Sequence, residues 1–276
     1  MSITSTLIDG GALSPPEFLA SSVRYETLMG SVAYGVSQDR SDMDIYGFCV
    51  PPAPEVFPHL KGEVPGFGKP APLFEQFQQH HVRLPQDPTV YDLNIYSIVR
   101  FVSLCMDNNP NMIESLFTPE ACVLHTSAAG KRFRAARSSM LHKGLWPKFK
   151  GFTMSQLHKM HIKHPKPQSK RAALVEAFGY DVKFGYHAVR LLDFADQLLT
   201  QADLDMTRQR DTLVAIRQGA WTQARLVSYC EEEMARLEEV CASSHLPDAS
   251  DERAVRALLL ECLEEEYGSL EGIVAR

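Results

Sequence analysis

The sequence predicts an α+β fold in which a small sheet-forming unit precedes a helical region. Three segments in the N-terminal part have the alternation or apolar character of strands, and glycine or proline ends the first two. From about Leu124 onward, apolar residues instead recur with helical periodicity. We therefore expect a small α/β unit followed by a mostly helical one.

A short turn segment and a longer proline-rich segment separate the three predicted strands. The strands are "VRYETLMG" (23–30), "DMDIYGFCV" (42–50) and "TVYDLNIY" (89–96). Before them, Pro15 and Pro16 after Ser14 predict the start of a short helix. Residues 51–88 are rich in Pro and Gly, so we expect an irregular surface excursion there, either a lid or a simple insertion.

The predicted helices begin directly after the third strand. "SIVRFVSLCMDNN" (97–109) has apolar residues on one side, and Pro110 opens the next short helix. Further helical segments lie at 169–199, 207–219, 222–244 and 250–269, with Thr222 and Ser250 as expected N-caps. We divide the chain near residue 125, into a first domain at 1–125 and a mostly helical domain at 126–276.

The composition is that of an ordinary soluble protein. The 276 residues are 45% hydrophobic and 22% charged, enough to bury a core in one large or two modest domains. No apolar run approaches the roughly 20 residues of a membrane span, and "MSITSTLIDGG" lacks the regions of a signal peptide. We therefore expect a cytoplasmic protein without a membrane partner, whose six scattered cysteines are reduced.

Positive charge is concentrated in one stretch of an acidic chain. Residues 131–171 contain twelve Lys or Arg and no Asp or Glu, although the net charge is −6. A solvated surface is the ordinary explanation of such a stretch. The complete absence of acids favours a polyanionic ligand instead, either a triphosphate or a nucleic-acid backbone.

Asp42 and Asp44 lie at the start of the second predicted strand. Residues two apart on a strand project to the same side, about 6–7 Å apart, so the two carboxylates repel each other. Solvent, a proton or a divalent cation can relieve that repulsion, and Mg²⁺ binds carboxylate oxygens together with substrate phosphates. Alone, this pair is more often part of a turn or cap than a metal site.

Gly30 and Ser31 strengthen the metal hypothesis. A glycine lets the backbone approach a phosphate closely, and the following serine can cap a short helix and offer its hydroxyl and N–H to an anion. An anion-binding turn eleven residues before a metal-binding pair forms a coherent arrangement.

The segment "GSVAYGVSQDRSDMDIYG" (30–47) resembles the signature of the DNA polymerase beta nucleotidyltransferase superfamily. Two later segments, "FVSLCMDNNPNMIESLF" and "GYDVKFGYHAVRLL", resemble one branch of it, which is associated with RNA ligases and assigned to RNA repair. These similarities extend over roughly residues 24–195. The resemblance implies a nucleotidyltransferase-type mixed sheet with flanking helices, followed by a helical C-terminal region that completes the nucleotide and acceptor site.

The resemblance also implies a third carboxylate on a neighbouring strand, and Asp92 is our candidate. Two Mg²⁺ ions, with Mn²⁺ as an alternative, would be held by Asp42, Asp44 and Asp92. Gly30 and Ser31 would hold a β or γ phosphate of the nucleoside triphosphate (NTP). A solvent-facing role for Asp92 stays open, and three acids are weaker rivals for its function: Glu26, Asp39 and Asp87.

A later helix adds three candidate nucleotide-binding residues. Lys183, His187 and Arg190 are spaced at i, i+4 and i+7 and share a helical face. Any surface helix shows such a polar face, so a purely structural role stays open. The resemblance favours phosphate contacts by Lys183 and Arg190, and a base or sugar contact by His187.

The basic stretch contains two further patterns that carry less weight. His158, His161 and His164 are spaced by three, but no cysteine or acid lies near to complete a zinc site. Three aromatic residues alternate with lysines, as in a surface that stacks bases, although core packing explains them equally well: Trp146, Phe149 and Phe152.

Together these features predict a Mg²⁺-dependent enzyme that transfers a nucleoside monophosphate from an NTP to an acceptor hydroxyl. The basic stretch favours the end of an RNA as acceptor, in tRNA or in RNA repair. Two alternatives remain: transfer to a protein side chain or small molecule, and an NTP- or RNA-binding regulator that has lost catalysis. The sequence does not indicate an oligomeric state.

Overall fold

A mixed five-stranded sheet organises the N-terminal part of the described chain. The computed structural model describes residues 2–37, 42–57, 73–162 and 165–269. The strand order is β3-β4-β2-β1-β5. The strands are β1 (Val23–Leu28), β2 (Met43–Cys49), β3 (Gln76–Val82), β4 (Tyr91–Ser97) and β5 (Val123–Thr126).

Helices flank this sheet and make up most of the remaining described chain. In the N-terminal part they are α1 (Ile3–Asp9), α2 (Leu19–Ser22), α3 (Gly30–Ala33), α4 (Ala53–Val56), α5 (Ile98–Met106) and α6 (Pro110–Phe117). They continue as α7 (Ala128–Ala135), α8 (Leu145–Ile162), α9 (Lys170–Phe178), α10 (Val182–Gln201), α11 (Arg210–Arg217), α12 (Gln223–Ser243) and α13 (Glu252–Tyr267). The predicted α+β class is confirmed.

The two central strands, β2 and β4, run parallel, whereas the other neighbouring pairs are antiparallel. Their register sets Asp44 directly beside Asp92 and Ile45 beside Leu93. Because adjacent side chains in register point to the same face of a sheet, this pairing brings the two carboxylates together.

Each face of the sheet packs against a different hydrophobic cluster. Ile45 and Cys49 lie on one face with Leu7 and Leu19 of the N-terminal helices. Phe48 lies on the opposite face, where the large cluster formed with the later helices begins. Since side chains alternate along a strand, Asp44 shares the face of Phe48 and points toward the helical half.

Several elements differ from the sequence-based predictions. Helix α1 was not expected, and the helix predicted at Pro15 begins only at Leu19. β3 lies in the segment expected to be irregular, of which residues 58–72 are outside the described chain. β5 lies at the start of the region expected to be helical, where its backbone pairs with β1.

Two helix boundaries also need correction. The helical segment expected over 169–199 is two helices, because Gly179 has a left-handed conformation (φ 79°) and ends α9. The N-cap of α13 is Asp251, whose side chain accepts from the Ala254 N–H, and not Ser250. Thr222 does cap α12 as predicted. The division near residue 125 stays a prediction, and β5 spans that position.

Candidate active site

The three predicted carboxylates meet at one end of the central strands. Asp44 in β2 lies in register with Asp92 in β4, and Asp42 precedes β2 by one residue. Asp42 is exposed, whereas Asp44 and Asp92 are partly buried. A carboxylate oxygen of Asp42 and one of Asp92 lie within 4.8 Å of each other, close enough for one cation to contact both.

The glycine turn of α3 holds the Asp44 carboxylate in place. Gly30 has φ +65°, and a Cβ at this position would overlap Asp44 Oδ2. The Met29 N–H donates to the Asp44 carbonyl over 2.7 Å, which ties the turn to the strand. Only glycine meets both the conformational and the steric requirement. Ser31 is the second residue of α3 and does not cap it, since Met29 occupies the N-cap position.

Burial makes Asp44 difficult to ionise, and repulsion from nearby carboxylates adds to the cost. Burial and the neighbouring charges of Asp92 and Asp42 together raise the pKa of the Asp44 carboxyl to about 6, while the charges of Lys183 and His80 oppose them. Positive charge would relieve this cost. A set of hard carboxylate oxygens that repel one another fits divalent cations such as Mg²⁺ or Mn²⁺.

Two of the rival acids have structural roles. Glu26 is fully buried and accepts from the Ile3 and Thr4 N–H groups, so it anchors the start of α1. Asp87 accepts from the Thr89 N–H and the Tyr91 hydroxyl in the turn before β4. Asp39 lies outside the described residues.

Two histidines that the sequence analysis missed lie beside Asp92. His80 Nδ1 is 3.4 Å from Asp92 Oδ2, and His81 Nδ1 is 3.6 Å from Asp92 Oδ1. The His81 N–H also donates to Asp92 Oδ1 over 2.7 Å. The adjacent pair in "QQHHV" was the available signal, but the proline-rich setting concealed the strand that carries it.

These carboxylates open into a cleft of about 740 Å³ between the sheet and the helical half. Gly30, Ser31, Asp42, Asp44 and Asp92 line one side of it. Helices α8 to α11 line the other side, and all three predicted residues of α10 are present. The contributing residues are Phe152, Gln156, Lys159, Leu174, Val182, Lys183, Tyr186, His187, Arg190, Leu191 and Arg217.

The predicted residues of α10 differ in environment. Lys183 is exposed at the cleft. Burial lowers the pKa of His187 well below its ordinary value, and the charges of Arg190, Lys183 and Arg217 act in the same direction. His187 is therefore a neutral imidazole at pH 7, stacked on Tyr186 with ring centroids 4.2 Å apart.

Arg190 is not the surface charge that the helical spacing suggested. Its guanidinium is buried and donates to Glu114 Oε2, which also accepts from the Tyr34 hydroxyl over 2.9 Å. The Arg190 guanidinium lies over the Tyr34 ring, 4.4 Å from the ring centroid. Arg190 thus lines the cleft while joining α10 to α6, and a nucleotide contact by this residue stays a prediction.

Two further elements contribute residues that the sequence analysis did not place in the site. Phe152, Gln156 and Lys159 recur at helical spacing and present one face of α8 to the cleft. Arg217 of α11 also lines it, with its guanidinium over the Tyr186 ring and an N–H donated to the Val36 carbonyl. The cleft therefore combines carboxylates on the sheet side with cations on the helical side.

Residues 17–261 match the family described as the RNA repair pathway DNA polymerase beta family, RlaP. The chain belongs to the RlaP family. The match covers most of the chain and confirms the branch indicated by the sequence. Membership in RlaP implies a polymerase beta-like nucleotidyltransferase in RNA repair. No curated protein matches the chain.

The basic stretch of this RlaP chain is largely neutralised. Seven of its cations pair with acids from elsewhere in the chain: Arg132–Glu265, Arg134–Glu120, Arg137–Asp203, Lys143–Asp248, Lys148–Asp107, Lys150–Glu238 and Arg171–Asp181. Lys159 faces the cleft. Over its described residues, the stretch is therefore largely engaged in contacts within the protein.

The aromatic residues of the basic stretch divide between the core and the cleft. Trp146 and Phe149 are core residues, so the base-stacking alternative is wrong for both, whereas Phe152 lines the cleft. His161 contacts the Gln223 side chain, and His164 lies outside the described residues.

The six cysteines are free thiols. Within the described helices, none combines the length and the apolar character of a membrane span.

Proposed function

We propose that this protein is a divalent-cation-dependent nucleotidyltransferase that transfers a nucleoside monophosphate from an NTP to the hydroxyl end of an RNA. The observation that carries the proposal is the register of β2 and β4, which sets Asp44 beside Asp92 on the cleft-facing side of the sheet. Family membership supports the reaction class.

The carboxylates would hold the metal. Asp42, Asp44 and Asp92 offer hard oxygen donors, and the raised pKa of Asp44 marks a site where added positive charge is favourable. We assign two Mg²⁺ ions to these residues, with Mn²⁺ as an alternative. When bound, divalent cations neutralise triphosphate charge and lower the pKa of an attacking hydroxyl.

The cations of the helical side would bind the triphosphate. Lys183 is exposed on the cleft side opposite the carboxylates, where its ammonium group can pair with phosphate oxygens. Gly30 and Ser31 would approach the β or γ phosphate from the sheet side. His187 would contact the sugar or base as a neutral hydrogen-bonding group. Arg190 would act mainly by holding α10 against α6 through Glu114, and a direct contact with a phosphate would be its lesser role.

The reaction then follows from the arrangement of charges. The acceptor oxygen forms a bond to the α-phosphorus as the bond from that phosphorus to the bridging oxygen breaks. The acceptor hydroxyl passes its proton to solvent, and pyrophosphate leaves with the bridging oxygen. Because this chemistry depends on positioning and charge stabilisation, no nucleophilic serine or cysteine is required.

RNA is the favoured acceptor because the family belongs to RNA repair. Lys159 and Phe152 on the cleft side of α8 support this choice, since a cation and an aromatic ring can contact a phosphate and a base. The neutralised basic stretch adds little support. Transfer to a protein side chain or a small molecule is the second candidate, and it needs only the same carboxylates.

Labelled NTPs test the proposal directly. The full chain is incubated with Mg²⁺ or Mn²⁺ and with total RNA, tRNA or no acceptor, alongside Asp44→Asn. We expect label on RNA that Asp44→Asn abolishes. Label only on protein would favour the second candidate, and NTP binding without transfer under any condition would favour a non-catalytic regulator.

A further inference from the structure

A β-bulge in β3 places two histidines opposite a single residue of β4. Gln79 pairs with Leu93 and Val82 pairs with Tyr91, so His80 and His81 together face Asp92. Such bulges redirect side chains and are frequent beside active sites. Here the extra residue brings an additional imidazole to the candidate metal-binding carboxylate.

The backbone holds His81 in an uncommon conformation. His81 has φ +56°, in the left-handed region that only a few per cent of non-glycine residues adopt. Its N–H donates to Asp92 Oδ1, so the carboxylate itself holds the bulge in place. The imidazole remains 78% exposed, which leaves it accessible to a ligand.

The side-chain positions are those of a mixed nitrogen and oxygen site. One ligand atom each from Asp42, His81 and Asp92 lie within 4.8 Å of one another. Among the described residues, these three form a group whose ligand atoms are close enough to hold one metal ion. Asp44 is not part of it and faces Gly30 instead. The carboxylates therefore provide two distinct environments, of which one includes an imidazole.

We propose that His81 is a nitrogen ligand to a divalent cation held between Asp42 and Asp92, and that this position prefers Mn²⁺ or Co²⁺ to Mg²⁺. Imidazole nitrogen binds first-row divalent ions, Co²⁺ more strongly than Mn²⁺, whereas Mg²⁺ binds almost entirely to oxygen. The inference rests on the proposed function, because that function brings divalent cations to these carboxylates. It specifies which cation the chain's own residues select.

Pulsed electron paramagnetic resonance of the full chain loaded with Mn²⁺ tests the ligand. We expect nitrogen hyperfine coupling in the wild type and its loss in His81→Asn. Asparagine is the suitable replacement because it tolerates the left-handed conformation and removes the imidazole. His245→Asn is the matched control, since His245 is exposed and far along the chain from the cleft residues, and it should retain the coupling.

Calorimetric titrations of Mn²⁺ and Mg²⁺ test the preference. We expect His81→Asn to weaken Mn²⁺ binding by about tenfold or more, as loss of groups at metal sites usually does. Mg²⁺ binding should change by less than about threefold, because its ligands are oxygens. Equal losses for both ions would overturn the inference and leave His81 as a residue that only orients Asp92.

The wild-type spectrum separates this inference from the proposed function. Bound Mn²⁺ without nitrogen coupling overturns the role of His81, whatever the stability of the variant. In that case, transfer of label that depends on Asp44 would still support the proposed function. Nitrogen coupling without any nucleotidyl transfer would instead uphold the metal site and contradict the transferase.

Discussion

Gly30 determines where the Asp44 carboxylate lies. Its positive φ and the absence of a side chain let Asp44 Oδ2 occupy space that any other residue would fill. The short sequence from Gly30 to Asp44 thus specifies a contact between a turn and a strand.

Gly30→Ala should therefore lower activity strongly. The methyl group would displace the Asp44 carboxylate, and a shift of about 1 Å at a reacting centre can cost about a hundredfold in rate. Steady-state kinetics of nucleotidyl transfer measure the loss. Gly151→Ala is the matched control, because a Cβ at Gly151 meets nothing within 4 Å in the interior of α8. Wild-type rates for Gly30→Ala would contradict this account of the turn.

Asp44 makes the metal-free protein less stable at neutral pH. Its pKa rises from 3.8 to about 6 on folding, so the cost of ionising it in the fold is fully present above pH 6. That cost declines as the pH falls from 6 toward 3.8 and is absent below. With solvent access taken into account, we expect it to be ~1–2 kcal/mol at pH 8.

Asp44→Asn should accordingly stabilise the protein in EDTA. We expect a higher melting temperature than wild type at pH 8 and the same melting temperature near pH 4, measured by thermal unfolding. Added Mg²⁺ should stabilise the wild type more than the variant, because the variant lacks the charge that binds it. A variant that melts below wild type at pH 8 would contradict the assignment of a repulsive carboxylate site.

At the scale of elements, a buried ion pair joins α6 to α10. Glu114 and Arg190 are nearly inaccessible to solvent, and Glu114 also accepts from Tyr34 after α3. The pair therefore connects three of the elements that surround the cleft. Removing one partner leaves an uncompensated buried charge.

Arg190→Met should lower the free energy of unfolding by about 3–5 kcal/mol. The double variant Arg190→Met with Glu114→Leu should recover most of that loss, because two apolar side chains of similar size can replace a buried pair. Denaturant unfolding of both variants and the wild type measures these differences. A double variant no more stable than the single one would show that the pair is not the connection between the helices.

The sequence predicted those strands and helices whose own residues show apolar alternation, bounding turn residues or helical periodicity. β1, β2 and β4 are apolar and bounded by turn residues, and the long helices have clear periodicity. β3 is a polar strand, "QFQQHHV", in a proline-rich region, and β5 has only four residues. Both become recognisable only through their pairing with β4 and β1.

The same limit applies to the site. Spacing identified Gly30, Asp42 and Asp44, since their relation lies within one short segment. Spacing did not distinguish exposed Lys183 from buried Arg190, because the partner of Arg190 is 76 residues away in the chain. The bulge that brings His81 to Asp92 depends on strand pairing in the same way.

At the scale of the whole molecule, folding neutralises most of the basic stretch. Its cations pair with acids of α12, α13 and several loops, so its charge stabilises contacts within the protein. Among the described residues that line the cleft, the cations available to an RNA backbone are chiefly Lys159, Lys183 and Arg217.

RNA binding should therefore depend only moderately on salt. About three phosphate contacts give a slope of about −2 in a plot of log K against log salt for single strands, whereas twelve would give about −8. Fluorescence anisotropy across a KCl series measures the slope. Lys159→Ala should make it shallower, and Lys148→Ala should not, because Lys148 pairs with Asp107. A slope near −8 would mean that the paired cations bind RNA.

The central claim is that Asp92 completes the carboxylate site and that the nearby Asp87 does not. The measurement that tests it most directly is transfer of label from NTP by Asp92→Asn and Asp87→Asn, each compared with wild type. We expect Asp92→Asn to lose activity by at least about a hundredfold, because the transition state loses a positioned charge. Asp87→Asn should remain close to wild type, since Asp87 only binds its own turn. An active Asp92→Asn together with an inactive Asp87→Asn would contradict the account.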